Sequence, residues 1–389
     1  MRDGLVGRVD AARLQQLTLE LTRIRSYTGE SREVAEFYAQ VLRGAGLTVE
    51  IYRDTPEAPC VVARLRGTGA GRTLTLNGHL DTVPLDHPAP SVADGRVYGR
   101  GAADMKGGLA AMAEASRVLA ESGLKLPGDV LLIAHSLHEA PGGHGQDLTA
   151  LVRRGIKGDA AIIAEVASDA LPIIGLGQCM FEFKVERPGA PTHELLTPSG
   201  TPHPILATID LANLIRARQA ELTLQPPIPF VGHESYFFGI VQGGDFYNRW
   251  PVACRLVGTR RYSPDSTLAV AQAELEGLAK RVERDTGAQV SVTVTPVRDG
   301  FRLAEDEPLV TTVRQAYTAV TGRALPLTGI RMVGDAAIFT REGRIPAVYH
   351  GPGGLGAHAD LESVAVVDLV RAAQVYIRTA LDYLGAEGG

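Results

Sequence analysis

The apolar residues change their period along the chain, and those changes lay out its elements. From Asp10 to Ser26, Leu14, Leu17, Leu21 and Ile24 recur at the three-to-four spacing of one helix face. Ser31 stands where an N-cap would start a second helix. Val34, Phe37, Tyr38, Val41 and Leu42 line its inner side, and Gly46 stops it. Strands are expected at Thr48–Tyr52 and Val61–Leu65. Thr73–Leu76 then alternates polar and apolar as a strand does, and the polar step Asn77-Gly78 is expected to end it. A glycine-rich turn follows, and the run LAAMAEASRVLAESG (109–123) reads as helix. Asp129–Leu137 and Ala160–Glu165 are apolar runs of the kind found in strands buried on both faces, with a short helix, Asp147–Arg154, between them. Strands alternating with helices predict an α/β domain with a largely parallel central sheet flanked by helices.

The rhythm changes after residue 176. A strand (Phe181–Glu186), a helix (Pro204–Leu222), two strands (Tyr236–Gln242, Ala253–Tyr262), a helix (Ser266–Thr286) and a strand (Gln289–Thr295) follow. That order is a split βαβ, ferredoxin-like unit. From Glu307 the first pattern resumes, with a helix to Thr321, a strand at Ala347–Tyr349 and a closing helix from Ser363 to Leu384. The expected division is therefore an α/β domain in two parts, 1–176 and 297–389, with an α+β domain inserted at 177–296.

Composition narrows the class without naming it. A length of 389 residues suits two domains, and 45% hydrophobic with 21% charged residues is ordinary for a soluble enzyme. The net charge of −5 and the lack of a basic run speak against a nucleic-acid partner. Cys60, Cys179 and Cys254 are scattered without CxxC spacing, which implies neither a disulfide framework nor a cysteine metal site. Met1 to Gly4 opens with charge rather than an apolar signal, and no stretch reaches the length of a membrane span. A cytoplasmic protein without a membrane partner is the expectation.

The chemistry-bearing residues cluster around GHLDTVP (78–84). His79 and Asp81 sit two apart, so in extended chain both point the same way. Such a pair suits a metal, with the histidine ligating and the aspartate co-ligating or orienting a neighbour. A strand-end histidine hydrogen-bonded to a nearby aspartate is the plainer alternative. GRGAADMKGG (99–108) then places Asp104 on a glycine-rich turn at the mouth of a helix, where it either reaches a shared site or merely caps the helix.

These two motifs, in this order, resemble the dinuclear zinc amidohydrolases and peptidases. That family includes acetylornithine deacetylase, succinyl-diaminopimelate desuccinylase, aminoacylase and glutamate carboxypeptidase. The resemblance spans nearly the whole chain and implies that the 177–296 insert is a lid and dimerisation domain. It further implies that His79 and Glu165 (in IIAEVASD) hold one metal, that His358 (in GPGGLGAHADLES) holds another, and that Asp104 bridges them. Asp81 would hydrogen-bond His79 and fix its tautomer. His193 (in RPGAPTHE, four residues after Gly189) would reach across a dimer to the oxyanion. Asn248, Arg261 and Gly353 match positions that contact substrate, although Arg260 competes with Arg261 and Thr259 replaces an acid usual there. An arginine at such a place suits a carboxylate.

The chain departs from the family at LHEAPGGHG (137–145), where an acidic pair is usual. Aligning the glycines puts Glu139 at the general-base position and Ala140 where a ligand of the second metal should stand. A methyl group cannot ligate, so that metal loses a ligand unless His138 or His144 replaces it. A one-residue shift would instead make Glu139 the ligand and His138 the base. The resemblance implies a hydrolase that cleaves an amide bond of an N-acyl amino acid or small peptide, with zinc as cofactor (one or two per chain, cobalt or manganese as alternatives). Ala140 keeps open the alternative of a catalytically weakened or non-enzymatic metal-binding homologue.

Overall fold

The computed structural model describes residues 2–69, 71–165 and 168–385; the ends of the expected division, Met1 and 386–389, lie outside the described residues. The strands used below are β1 (Thr48–Tyr52), β2 (Cys60–Leu65), β3 (Leu74–His79), β4 (Val130–His135), β5 (Ala160–Ile163), β6 (Gly177–Glu186), β7 (Ser235–Gly243), β8 (Ala253–Tyr262), β9 (Gln289–Arg298) and β10 (Ala347–Tyr349). The helices are α1 (Ala11–Arg23), α2 (Arg32–Gly44), α3 (Gly107–Glu121), α4 (Gln146–Arg153), α5 (Pro204–Leu224), α6 (Leu268–Thr286), α7 (Pro308–Thr321), α8 (Ala336–Arg341) and α9 (Val366–Tyr383).

The chain forms two compact units, one of residues 1–173, 303–328 and 334–389, the other of 174–302 and 329–333. The first is built on a six-stranded sheet in the order β1-β2-β4-β3-β5-β10. The pairings β3–β4, β3–β5 and β5–β10 are parallel, and only the β1–β2–β4 side is antiparallel. Strands β3, β4 and β5 are buried along their whole length, which explains why they read as apolar runs rather than alternations. Their core continues into α1, α2, α3, α7 and α9.

Two local expectations change. Ser31 occupies the N-cap position of α2 but makes no side-chain cap, and its buried hydroxyl has no partner among the described residues; Asp10 instead caps α1 through Ala12 N and Arg13 N. Strand β3 does not end at Asn77-Gly78 but runs on to His79. Because β3 lies between two parallel neighbours, the buried Asn77 amide finds the Ile133 carbonyl at 3.2 Å, and a polar step is tolerated mid-strand.

The second unit is a four-stranded antiparallel sheet, β7-β8-β6-β9, with α5 and α6 packed on one face. Buried Cys179, Phe181, Phe183 and Val185 of β6 alternate with the outward residues Met180, Glu182, Lys184 and Glu186, the period of a half-buried strand. The element order is the βαββαβ of a ferredoxin-like unit.

Glycine allows α3 to seat against the sheet end. A Cβ at Gly108 would lie 1.9 Å from the Ala164 carbonyl oxygen, next to Glu165, so only glycine lets the helix start this close. Gly108→Ala should lower stability by about 1–3 kcal/mol through overpacking. Gly277→Ala, in open space on exposed α6, should raise it by about 0.4–1 kcal/mol. Chemical denaturation of both variants checks the contrast, and equal effects would contradict it.

Candidate active site

Because β3, β4 and β5 run parallel, their carboxyl ends share one edge of the sheet, which is where α/β sheets place their sites. His79 ends β3, with His135 beside it in register on β4. The loop after β4 carries His138 and Glu139, and the loop after β5 carries Glu165. Asp104 stands on the irregular turn leading into α3, and His358 on the loop after β10 at φ 62°.

His79 is fully buried. Its Nδ1 lies 2.9 Å from the Asp81 carbonyl oxygen and its Nε2 lies 3.1 Å from Asp104 Oδ1. The carbonyl can only accept, so Nδ1 carries the proton and Nε2 faces the site. Asp104 reaches the other way as well, with Oδ2 3.3 Å from His358 Nε2, and that nitrogen is 2.9 Å from Glu139 Oε1. One carboxylate therefore links two imidazoles, the arrangement expected of a bridging ligand.

The charge states follow from these contacts. Burial works against protonation of His79, but Asp104 and Asp81 outweigh it and raise its pKa well above the ordinary value. Hydrogen bonds to the Asp104 and Glu139 carboxylates push His358 up to about 10. Burial pushes Glu165 up to about 7, and its buried Oε2 has no hydrogen-bond partner among the described residues. Ligand atoms of His79, Asp104 and Glu139 lie within 4.8 Å of one another, as do those of His79, His138 and Glu165. Converging nitrogen and oxygen donors with an orphaned buried carboxylate oxygen fit a divalent metal.

Asp81 plays a different part from the one expected. Its backbone carbonyl, not its carboxylate, takes the His79 Nδ1 hydrogen bond; the nearer carboxylate oxygen is 3.6 Å away. The carboxylate instead accepts from His138 N (3.0 Å), Glu139 N (2.9 Å) and the Thr28 hydroxyl (2.8 Å). It clamps the loop that presents Glu139. Ala140 and His144 are both exposed, and His144 joins none of the ligand clusters found among the described residues.

In the second unit, the Asn248 amide meets His193 Nε2 at 3.1 Å, and Leu195 N donates to His193 Nδ1. With Nδ1 accepting, Nε2 carries the imidazole proton when neutral. Arg260 is buried and committed to Glu234 (2.6 Å) and Glu274 (3.0 Å), whereas exposed-side Arg261 bonds the Arg331 carbonyl. Alternation along β8 puts the two guanidiniums on opposite faces, which removes Arg260 as a competitor. Gly353 sits on the loop before His358 at φ 67°.

Comparison with known proteins decides the family. Residues 75–382 match the profile of peptidase family M20/M25/M40. The chain belongs to this family. It is similar to succinyl-diaminopimelate desuccinylase of Methylobacterium radiotolerans, at 28% identity over 93% of this chain and 95% of that one. The desuccinylase of a Methylobacterium sp. is 30% identical over 94% and 95%. Among solved structures, aminopeptidase PepT from Bacillus cereus superposes with a TM-score of 0.81 at 20% identity, over 97% of this chain and 99% of that one. An M20 family metallo-carboxypeptidase from Sulfolobus solfataricus gives 0.76 at 16% identity, over 95% and 99%. M20 membership makes the chain a metal-dependent amidohydrolase or peptidase.

Several residues that shape this M20 site carried no sequence signal. Glu362, 1% exposed, accepts from Gly101 N, Ala103 N, Asp104 N and Arg100 Nη1 at 2.9–3.0 Å, and so holds the turn that presents Asp104. Asp335, fully buried, bonds both His135 and His138. The one available hint was a histidine, His135, closing an otherwise apolar strand. Glu362→Gln turns an amide donor toward N–H groups and takes from Arg100 its carboxylate partner, leaving it only backbone carbonyls. The expected loss is about 3–5 kcal/mol, as for a broken buried pair, read from denaturant midpoints. A loss under about 1 kcal/mol would contradict the anchoring role.

Proposed function

We propose that this M20 protein hydrolyses the amide bond of an N-acyl amino acid or small peptide, with Glu139 as general base. The observation that carries the reading is the placement of Glu139. It is a buried carboxylate 2.9 Å from His358 Nε2, within one ligand cluster with His79 and Asp104, and held there by Asp81 through its own backbone N–H. His79, Asp104, Glu165 and His358 would hold the metal, for which zinc suits the nitrogen and carboxylate donors and cobalt or manganese are alternatives.

When bound, the metal lowers the pKa of a water toward ~7 and polarises the scissile carbonyl. Glu139 takes the proton of that water as it attacks and returns it to the leaving amine. His193, protonated on Nε2, donates to the oxygen that becomes negative. Asn248, beside that imidazole, contacts substrate, Arg261 pairs with a substrate carboxylate, and Gly353 offers a backbone contact. The desuccinylase relatives, matched over nearly their full length, put N-succinyl and similar acidic acyl groups first among substrates to test. The family resemblance supports a homodimer joined through the second unit, with His193 acting in the partner's site. A cytoplasmic setting agrees with three free, buried cysteines. The weakened-homologue reading rests on Ala140 alone, and a mere metal binder would need neither Glu139 nor His193.

Glu139→Gln should keep its metal and lose at least about a hundredfold in turnover on N-acyl substrates. Loss of metal along with activity would make Glu139 a ligand instead. Metal uptake must displace protons from the histidines, so apparent zinc affinity should rise between pH 7 and 9, by about tenfold per unit for each proton displaced. A chelator competition series checks this, and a flat profile would contradict it. Mixing inactive His193→Ala with inactive Glu139→Gln subunits should restore activity, because one hybrid site carries both residues. Absence of rescue despite verified subunit exchange would refute the shared site.

A further inference from the structure

We propose that His138 is a metal ligand in this chain, joining His79 and Glu165, so that the alanine at 140 is offset by strengthening one metal position rather than refilling the other. The proposal rests on the metallohydrolase reading and assigns a ligand that reading does not contain.

Three observations converge on His138. The first is proximity: its ring stacks on His79 with centroids 4.1 Å apart and planes 7° from parallel, and ligand atoms of His79, His138 and Glu165 lie within 4.8 Å of one another. The second is orientation. His138 Nδ1 is 3.1 Å from Asp335 Oδ1, and a carboxylate can only accept, so the proton sits on Nδ1 and the Nε2 lone pair is left for a cation. The third is the buried Glu165 Oε2, which has no hydrogen-bond partner among the described residues.

The orienting carboxylate is itself fixed. Asp335 Oδ2 lies 2.7 Å from His135 Nε2, and His135 Nδ1 lies 3.3 Å from Asp147 Oδ1. Asp147 in turn accepts from Ser136 N at 2.7 Å and Leu137 N at 3.0 Å. Asp335 thus links the imidazoles of His135 and His138, while Asp81 holds the His138 backbone N–H at 3.0 Å. If His138 merely linked Asp335 to the stack, the tautomer would be irrelevant and Glu165 would still lack a partner. Two histidines and one glutamate form a known catalytic zinc set with the fourth position open to water. Sharing one ion requires the two rings to fan out of their parallel stack until both Nε2 lone pairs converge.

The test adds less than one equivalent of zinc to metal-free protein. X-ray absorption then counts imidazoles at the metal, and chelator competition gives the affinity. Wild type should show two imidazoles and His138→Ala one, with affinity lower by at least about tenfold; Asp335→Asn should keep both imidazoles and bind about 10–100-fold more weakly. The wild-type count needs no variant, so a misfolded mutant does not rescue the idea. One imidazole in wild type, or unchanged affinity in His138→Ala, overturns the assignment while leaving the hydrolase reading intact. No zinc uptake by wild type overturns both.

Discussion

A buried carboxylate is costly unless donors or cations surround it, and the edge of the central sheet is arranged around that constraint. Asp81, Asp335 and Glu362 are each almost fully buried, and each is satisfied by this chain's own N–H groups or imidazoles. They do not face a reaction; they hold the loops that do. Asp104 and Glu139 find imidazoles instead, with His358 lying against both. Glu165 keeps one oxygen without a hydrogen-bond partner among the described residues. The inner carboxylates are thus served by N–H groups and imidazoles of the protein, and Glu165 retains an oxygen that a cation would complete.

The backbone makes this convergence possible. Parallel pairing brings three strand ends level, which sets His79 beside His135 and close to the loops after β4 and β5. Glycine at 108 lets α3 start against the Ala164 carbonyl, and Gly351 lets the loop after β10 pass the Glu165 backbone, where a Cβ would fall 2.7 Å from its carbonyl carbon. Backbone–carboxylate clamps and close packing hold the loops that carry these side chains, so that little backbone freedom is lost when a substrate arrives.

Much of this was legible in the sequence, because burial writes itself into periodicity. The helices, the apolar strands and the βαββαβ order of the second unit all follow from residue patterns. Asn77-Gly78 misled, since a polar step looks like a strand end until the neighbouring carbonyl of Ile133 is known. The motif residues His79, Asp104, Glu139, Glu165 and His358 stand at one end of the sheet. Their supports were not visible: Glu362 lies 258 residues from the Asp104 it anchors, and Asp335 lies 200 from His135. Nothing local marks such pairings. Asp81 shows the subtler failure, where the residue was evident but the atom that contacts His79 is its backbone carbonyl.

The central claim is that this carboxylate-lined sheet edge is a metal site and that its metal drives amide hydrolysis. Anomalous diffraction from crystals of zinc-loaded protein, collected on both sides of the zinc edge, tests it most directly. The account predicts a peak bonded to His79 Nε2 and to Glu165, whose orphaned oxygen would then have its partner. Zinc bound elsewhere, with Glu165 still unpartnered and the His79–Asp104 contact intact, would contradict it.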